Sequence, residues 1–177
     1  CLCALTSFWG LCGFRKITDI ITWGQQIAPN GLGAQLEQLI TQQSSEGLKH
    51  FFTALMTLAP DDLKPVIDEA TENAQRRASK DPVFEWIGRL SEFYPYDVGV
   101  LSPIFLNLVK LEPKQAIFLP ARTLHAYLDG TGIELMANSD NVLRGGATPK
   151  HIDVPELLNT LIFEDQDIEL LKPQSIS

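Results

Sequence analysis

The sequence predicts an α+β protein, and three observations carry that expectation. Residues 14–94 repeat apolar side chains at the 3.6-residue spacing of amphipathic helices. After Tyr94-Pro95 the period falls to two, as in half-buried strands. Gly, Pro and Asx turns then interrupt the chain every roughly eight to twelve residues, the rhythm of an antiparallel sandwich or barrel.

The elements follow in order. ITDIITW places Ile17, Ile20 and Ile21 on one helical face, and AQLEQLI does the same with Leu36, Leu39 and Ile40. Ser44-Ser45 is an N-cap signal before the stripe Leu48, Phe51, Phe52, Leu55 and Leu58. Asp61-Asp62 precedes Leu63, Val66, Ile67, Ala70 and Ala74, which puts Pro65 in a first turn, where a missing N–H costs nothing. Asp81-Pro82 opens a last helix in cap-then-proline order, with Val83, Ile87, Leu90 and Tyr94 on its apolar face. His50 reads as a helix-surface residue. In the second half FLNLVKL, AIFLPA, HAYL and IELMA read as short strands, separated by EPKQ and DGTG and closed by NSDN. From about Asp165 the periodicity fades, and the tail is expected to be loose.

Composition bounds what the chain does. It has 177 residues, enough for one good-sized domain or two small ones sharing a core. A net charge of −8, with no basic run to offset it, disfavours nucleic acid and anionic membrane surfaces as partners. No segment approaches the roughly 20 apolar residues that cross a bilayer. The apolar start, CLCALTSFWGLCGF, lacks a basic leader and is broken by Thr6, Ser7 and Gly10, so it does not read as a signal peptide. The absence of a starting methionine reads as a processed chain or a fragment. Cys1, Cys3 and Cys12 are odd in number and clustered at one end. They read as free thiols of a reducing, cytoplasmic setting rather than a disulfide framework.

Chemistry concentrates in HAYLDGTGIELMANSDNVLRGGATPK, residues 125–150. Strand alternation puts His125 and Tyr127 on one face and Glu134 and Met136 on one face of the next strand. If the two strands pair as a hairpin around Asp129–Gly132, His125 and Glu134 come close. Imidazole and carboxylate suit zinc or another divalent ion, yet one of each is not a site, and H-x-H, Q-x-H and H-E-x-x-H are all absent. Arg144 and Lys150 suit phosphate oxygens or a developing enediolate, and Gly145-Gly146 permits close backbone approach. From the residues alone, two solvated loop cations are the more ordinary reading of this pair. Neither a nucleophile elbow nor a P-loop occurs.

These same residues carry a family resemblance. YPYDVGVLSPIFLNLVKL, FLPARTLHAYLDG and IELMANSDNVLRGGATPK resemble the signature of the type I mannose-6-phosphate isomerases, also called phosphomannose isomerases. The opening ALTSFWGLCGFR is similar to that family's ALTPF-x-x-x-x-x-FR segment. Departures are Ser7 and Leu124, where proline is usual, and Ala147, where leucine is. The resemblance implies a cupin-type antiparallel barrel or sandwich with a helical insertion. The implied division is a strand segment of the cupin core at 1–13, a helical domain at 14–94 and a partial cupin portion at 95–177. It implies one zinc ion per complete site and interconversion of mannose 6-phosphate and fructose 6-phosphate through a cis-enediol.

By the same resemblance His125 is a zinc ligand. Arg144 stabilises the intermediate or holds phosphate, Glu134 lines the site and takes part in proton transfer, and Tyr127 and Lys150 contact substrate. Asp140 and Asn141 brace the turn before Arg144. The family's remaining zinc ligands lie upstream in Q-x-H and N-H-K-P-E motifs, the last of them falling just before Cys1. The chain is therefore expected to be an incomplete part of an isomerase, monomeric when full length. The alternatives are a catalytically silent cupin fragment that binds sugar phosphate or a partner chain, and an acidic helical half that serves as an interaction module.

Overall fold

Residues 8–14, FWGLCGF, form the strand around which the molecule is organised. The computed structural model describes residues 1–138, 143–147 and 152–172. In it β1 (Leu2–Ala4) and β2 (Phe8–Phe14) precede the helices α1 (Ile17–Ile27), α2 (Gly33–Thr41), α3 (Ser45–Met56), α4 (Pro60–Gln75) and α5 (Pro82–Phe93). A 3-10 turn (Val98–Leu101) and the single turn α6 (Ser102–Phe105) lead into β3 (Leu106–Leu111), β4 (Ala116–Ile117), β5 (His125–Asp129) and β6 (Gly132–Glu134). A short helix, α7 (Val154–Thr160), follows. Among the described residues the strands form two antiparallel three-stranded sheets, ordered β3-β2-β5 and β4-β1-β6. This is the expected α+β arrangement of sheets and helices.

Alternation along β2 separates two cores. Phe8 and Cys12 face the gap between the sheets, where they bury with Leu2, Ala4, Leu111 and Ile117. Leu11 faces the other way, into the large core built with the helices. At Gly13 the backbone turns to φ +60° and the pairing with β3 slips by one residue. That bulge reverses the parity of the strand, so Phe14 joins the helical core instead of the gap. There its ring stacks on Phe163 at 5.4 Å and meets Phe52 edge-on at 5.5 Å. The bulge is held from beside it: Asn107 Nδ2 lies within 3.0–3.2 Å of the carbonyl oxygens of Cys12, Gly13, Phe14 and Gln166.

The helices bury the stripes their spacing implies. Ile20, Leu36, Leu39, Leu48, Phe51, Phe52, Leu55, Ile67, Ala70, Ile87 and Leu90 all lie in the core. Ser44 caps α3 by accepting from Gly47 N, and Asp81 caps α5 by accepting from Val83 N. His50 is exposed on α3 beside Glu46. Helix α5 is tied to the sheet by Trp86, whose ring lies 6.0 Å from that of Trp9, and by Arg89, which reaches Asp129 at 3.5 Å.

Several expectations are corrected. Helix α4 begins at Pro60, so Asp61 and Asp62 lie in its first turn and Pro65 sits inside the helix rather than opening it. Pro60 already supplies the fixed φ of a helix start, and the acidic pair favours the positive end of the dipole from within. Ile40 is 41% exposed, so α2 buries only Leu36 and Leu39 of the three expected positions. AIFLPA forms a strand only at Ala116–Ile117, and IELMA pairs with the chain start as far as Leu135, which exchanges backbone hydrogen bonds with Cys1. The tail is not loose as far as it is described: Asp165 bridges Phe14, and Leu171 bridges Ala116 on the edge of β4. Helix α7 is an element that the periodicity does not announce, although Asp153 caps it and Pro155 sits in its first turn, a signal close to that of α5.

Candidate active site

Strand β5 runs against β2 with His125 opposite Cys12 and Tyr127 opposite Gly10. Directly opposed residues share a face, so His125 and Tyr127 look into the gap between the sheets, while Ala126 and Leu128 pack on the helical core. Strand β6 runs against β1 with Glu134 opposite the inward-facing Leu2. Strands β5 and β6 are therefore edge strands of different sheets, on the same side of the gap.

This corrects the expected hairpin. Between Asp129 and Gly132 the chain crosses from one sheet to the other instead of folding back on itself. The crossing depends on Gly130 at φ +108°, where a Cβ would stand 2.5 Å from the Ser7 carbonyl oxygen and 2.8 Å from Phe8 Cα. The carboxylate is reached by Tyr127 rather than by His125: the Tyr127 hydroxyl donates to Glu134 Oε1. The Tyr127 ring lies 5.6 Å from that of His125 and edge-on to Phe8 at 5.5 Å. His125, Tyr127 and Glu134 thus form one open cluster at the mouth of the gap.

Each group is prepared differently. His125 Nδ1 is 2.9 Å from the carbonyl oxygen of buried Thr123. A carbonyl only accepts, so the ring proton belongs on Nδ1 and the Nε2 lone pair is left for a ligand. That is the form in which imidazole binds zinc. Burial, and then its hydrogen bond to the Glu134 carboxylate, push the Tyr127 phenol up, so it holds its proton at neutral pH. Burial also pushes the Cys12 thiol, beneath His125, up to about 12, so it forms a neutral wall and not a nucleophile.

A zinc site needs about four ligands, or three and an open position. Among the described residues no group of three or more His, Cys, Asp or Glu side chains is placed to hold a metal. His125 fits zinc as one donor, and the others would have to come from outside the described residues.

Arg144 is exposed on the segment 143–147. That segment is seated beside β5, since a Cβ on Gly145 would stand 2.6 Å from Leu124 Cδ1. Among the described residues no hydrogen bond or ion pair joins Arg144 to the cluster. Lys150, Asp140 and Asn141 lie outside the described residues.

Asp97, within YPYDVGV, is a further residue beside the segment 143–147: its Oδ1 accepts from both Gly99 N and Ala147 N at 2.7 Å. The Asp-x-Gly spacing is an Asx-turn signal that would have drawn attention to it. A separate concave surface lined by Ser45, Lys49, Arg122 and Phe163 shares no residue with the cluster. No described helix is long and apolar enough to cross a membrane.

The chain is similar to one family of known proteins. Residues 26–106 match the family model of the type I phosphomannose isomerase helical insertion domain. The chain is 38% identical over 173 residues to mannose-6-phosphate isomerase from Escherichia coli strain K12, an alignment covering 98% of this chain and 43% of that protein. It is 36% identical over 174 residues to the Bos taurus mannose-6-phosphate isomerase, covering 90% of this chain and 41% of that one. A phosphomannose isomerase mutant from Salmonella typhimurium superposes with a TM-score of 0.89 at 35% identity, over 99% of this chain and 44% of that chain. The mannose 6-phosphate isomerase of the same organism bound to fructose 6-phosphate and zinc superposes with a TM-score of 0.81 at 36% identity, over 93% and 41%. The chain spans less than half the length of these relatives.

Proposed function

We propose that this chain, a relative of the type I phosphomannose isomerases along nearly its whole length, forms one wall of a zinc-dependent isomerase site that interconverts mannose 6-phosphate and fructose 6-phosphate. The observation that carries this reading is the convergence of His125, Tyr127 and Glu134 on the open mouth of the gap, with His125 Nε2 left free. In this reading the strand segment 1–13 and the portion 95–177 form the cupin-type core, and residues 14–94 form the helical domain beside it.

His125 would hold the zinc together with donors from outside the described residues. When bound, the metal supplies Lewis-acid polarisation of the substrate oxygens on C1 and C2. The chain's own residues do the rest. Glu134 takes part in moving the proton between C1 and C2, through a cis-enediol, and the Tyr127 hydroxyl holds its carboxylate in place. Tyr127 also presents a phenol to the sugar hydroxyls. The Arg144 guanidinium stabilises negative charge as the enediolate develops. Lys150 contacts the phosphate. The setting is cytoplasmic, the protein is monomeric when full length, and neither nucleic acid nor a membrane is a partner.

The test is bound zinc and coupled mannose 6-phosphate isomerase turnover on the full-length protein. His125→Ala should lose both, whereas Arg144→Ala should keep zinc and lose turnover. Full zinc occupancy in His125→Ala would overturn the ligand assignment. A parent protein with neither zinc nor turnover would make this chain part of a catalytically silent sugar-phosphate binder.

A further inference from the structure

We propose that Asp97 is the positioning residue for Arg144. The inference rests on the isomerase reading above, in which Arg144 stabilises charge, and adds the element that sets where Arg144 stands.

Asp97 follows α5 and opens the 3-10 turn Val98–Leu101. Its Oδ1 accepts from Gly99 N at 2.7 Å, which is an ordinary cap. The same oxygen accepts from Ala147 N, fifty residues further along the chain, also at 2.7 Å. The cap alone does not require that second donor. It ties the loop carrying Arg144 to a turn whose Val100 and Leu101 are fully buried in the helical core.

The neighbouring backbone is shaped for this staple. Gly146 has φ +123°, and a Cβ there would stand 3.1 Å from Gly99 Cα and 3.3 Å from Asp97 Oδ1. A Cβ on Gly99 would stand 2.4 Å from Ala147 N. On the opposite flank, Gly145 lies against Leu124, the residue before His125. Residues 145–147 are therefore wedged between the 3-10 turn and the start of β5. Arg144 is one residue before this wedge and His125 one residue after Leu124. The carboxylate of Asp97 thereby fixes the spacing between the exposed guanidinium and the imidazole while touching neither.

The experiment is steady-state kinetics on the full-length protein for Asp97→Ala, Asp97→Asn, Arg144→Ala and the double variant Asp97→Ala/Arg144→Ala. A shift of about 1 Å in a positioned group costs up to roughly 100-fold in rate. Asp97→Ala should lower kcat by about 10- to 100-fold with bound zinc unchanged. Asp97→Asn keeps an acceptor oxygen and should restore kcat to within about five-fold. The double variant should be no slower than Arg144→Ala alone, because the staple acts only through that arginine. If Arg144→Ala collapses turnover while Asp97→Ala runs at full rate, the staple is wrong and the isomerase reading stands. A double variant slowed by the product of the two single effects would also overturn it. Full activity in Arg144→Ala would instead sink the charge-stabilising role, and the staple's purpose with it. Should Asp97→Ala fail to fold, Gly146→Ala is read by the same criteria, since its Cβ forces the segment off Gly99.

Discussion

Tyr127 donates to Glu134 across two strands that share no ladder, one at the edge of each sheet. The bond joins the two sheet edges through side chains, where no backbone ladder does, and leaves the mouth of the gap open to solvent. Tyr127→Phe keeps the ring and its edge contact with Phe8, so stability should fall by only about 1 kcal/mol. If Glu134 moves the proton as proposed, turnover should fall at least about ten-fold when its carboxylate is freed. Unchanged turnover in the full-length protein would remove the Tyr127–Glu134 pair from the reaction.

Gly130 should tolerate no side chain. Its φ of +108° and the 2.5 Å approach to the Ser7 oxygen make Gly130→Ala strained twice over. A loss of about 2 kcal/mol or more is expected in denaturant unfolding. A loss below about 0.5 kcal/mol would show that the crossing relaxes freely.

The aromatic cluster is the main weight in the helical core around the bulge. Phe52 touches Phe14, Phe105 and Phe163 with ring centroids 5.5–5.8 Å apart and is fully buried. Phe52→Ala should cost about 3–5 kcal/mol. Asn107→Ala should cost about 1–3 kcal/mol, because it strips the amide from the carbonyls at the bulge. A wild-type melting temperature in either variant would contradict these assignments.

Alkaline pH should weaken the fold through Cys12. Its thiol is raised from an ordinary value of 9.0 to about 12 by burial, so the native state prefers the protonated form. The unfolded chain gives up that proton first. The thiol's contribution is therefore fully present below about pH 9 and is lost as pH rises toward 12. At about 1.4 kcal/mol per unit the loss reaches at most roughly 4 kcal/mol. Cys12→Ala should flatten that part of the stability–pH curve, and an unchanged slope would show that another group controls it. At pH 8 a thiol reagent should label exposed Cys1 readily and Cys12 only on unfolding.

Local order was readable in the sequence wherever one element decides it. The stripes of α3 and α5, their Ser44 and Asp81 caps and the period-two run of β3 follow from spacing and capping chemistry alone. So did the presence of His125, Tyr127 and Glu134 as candidates, because alternation already placed His125 and Tyr127 on one face. What they do to one another was not readable. Strand pairing is a contact between distant segments, and nothing within residues 125–134 says that β5 pairs with β2 and β6 with β1. A hairpin is the shorter-range pairing that the turn suggests, and the pairing of β5 with β2 and of β6 with β1 excludes it. Likewise the bulge at Gly13 moves Phe14 from one core to the other, and Asp97 reaches Ala147 across fifty residues. By itself, then, the sequence determined the elements and the chemical types available to the site. The tertiary structure decided which sheet each strand joins and which carboxylate meets which donor, since those depend on long-range packing that local periodicity does not encode.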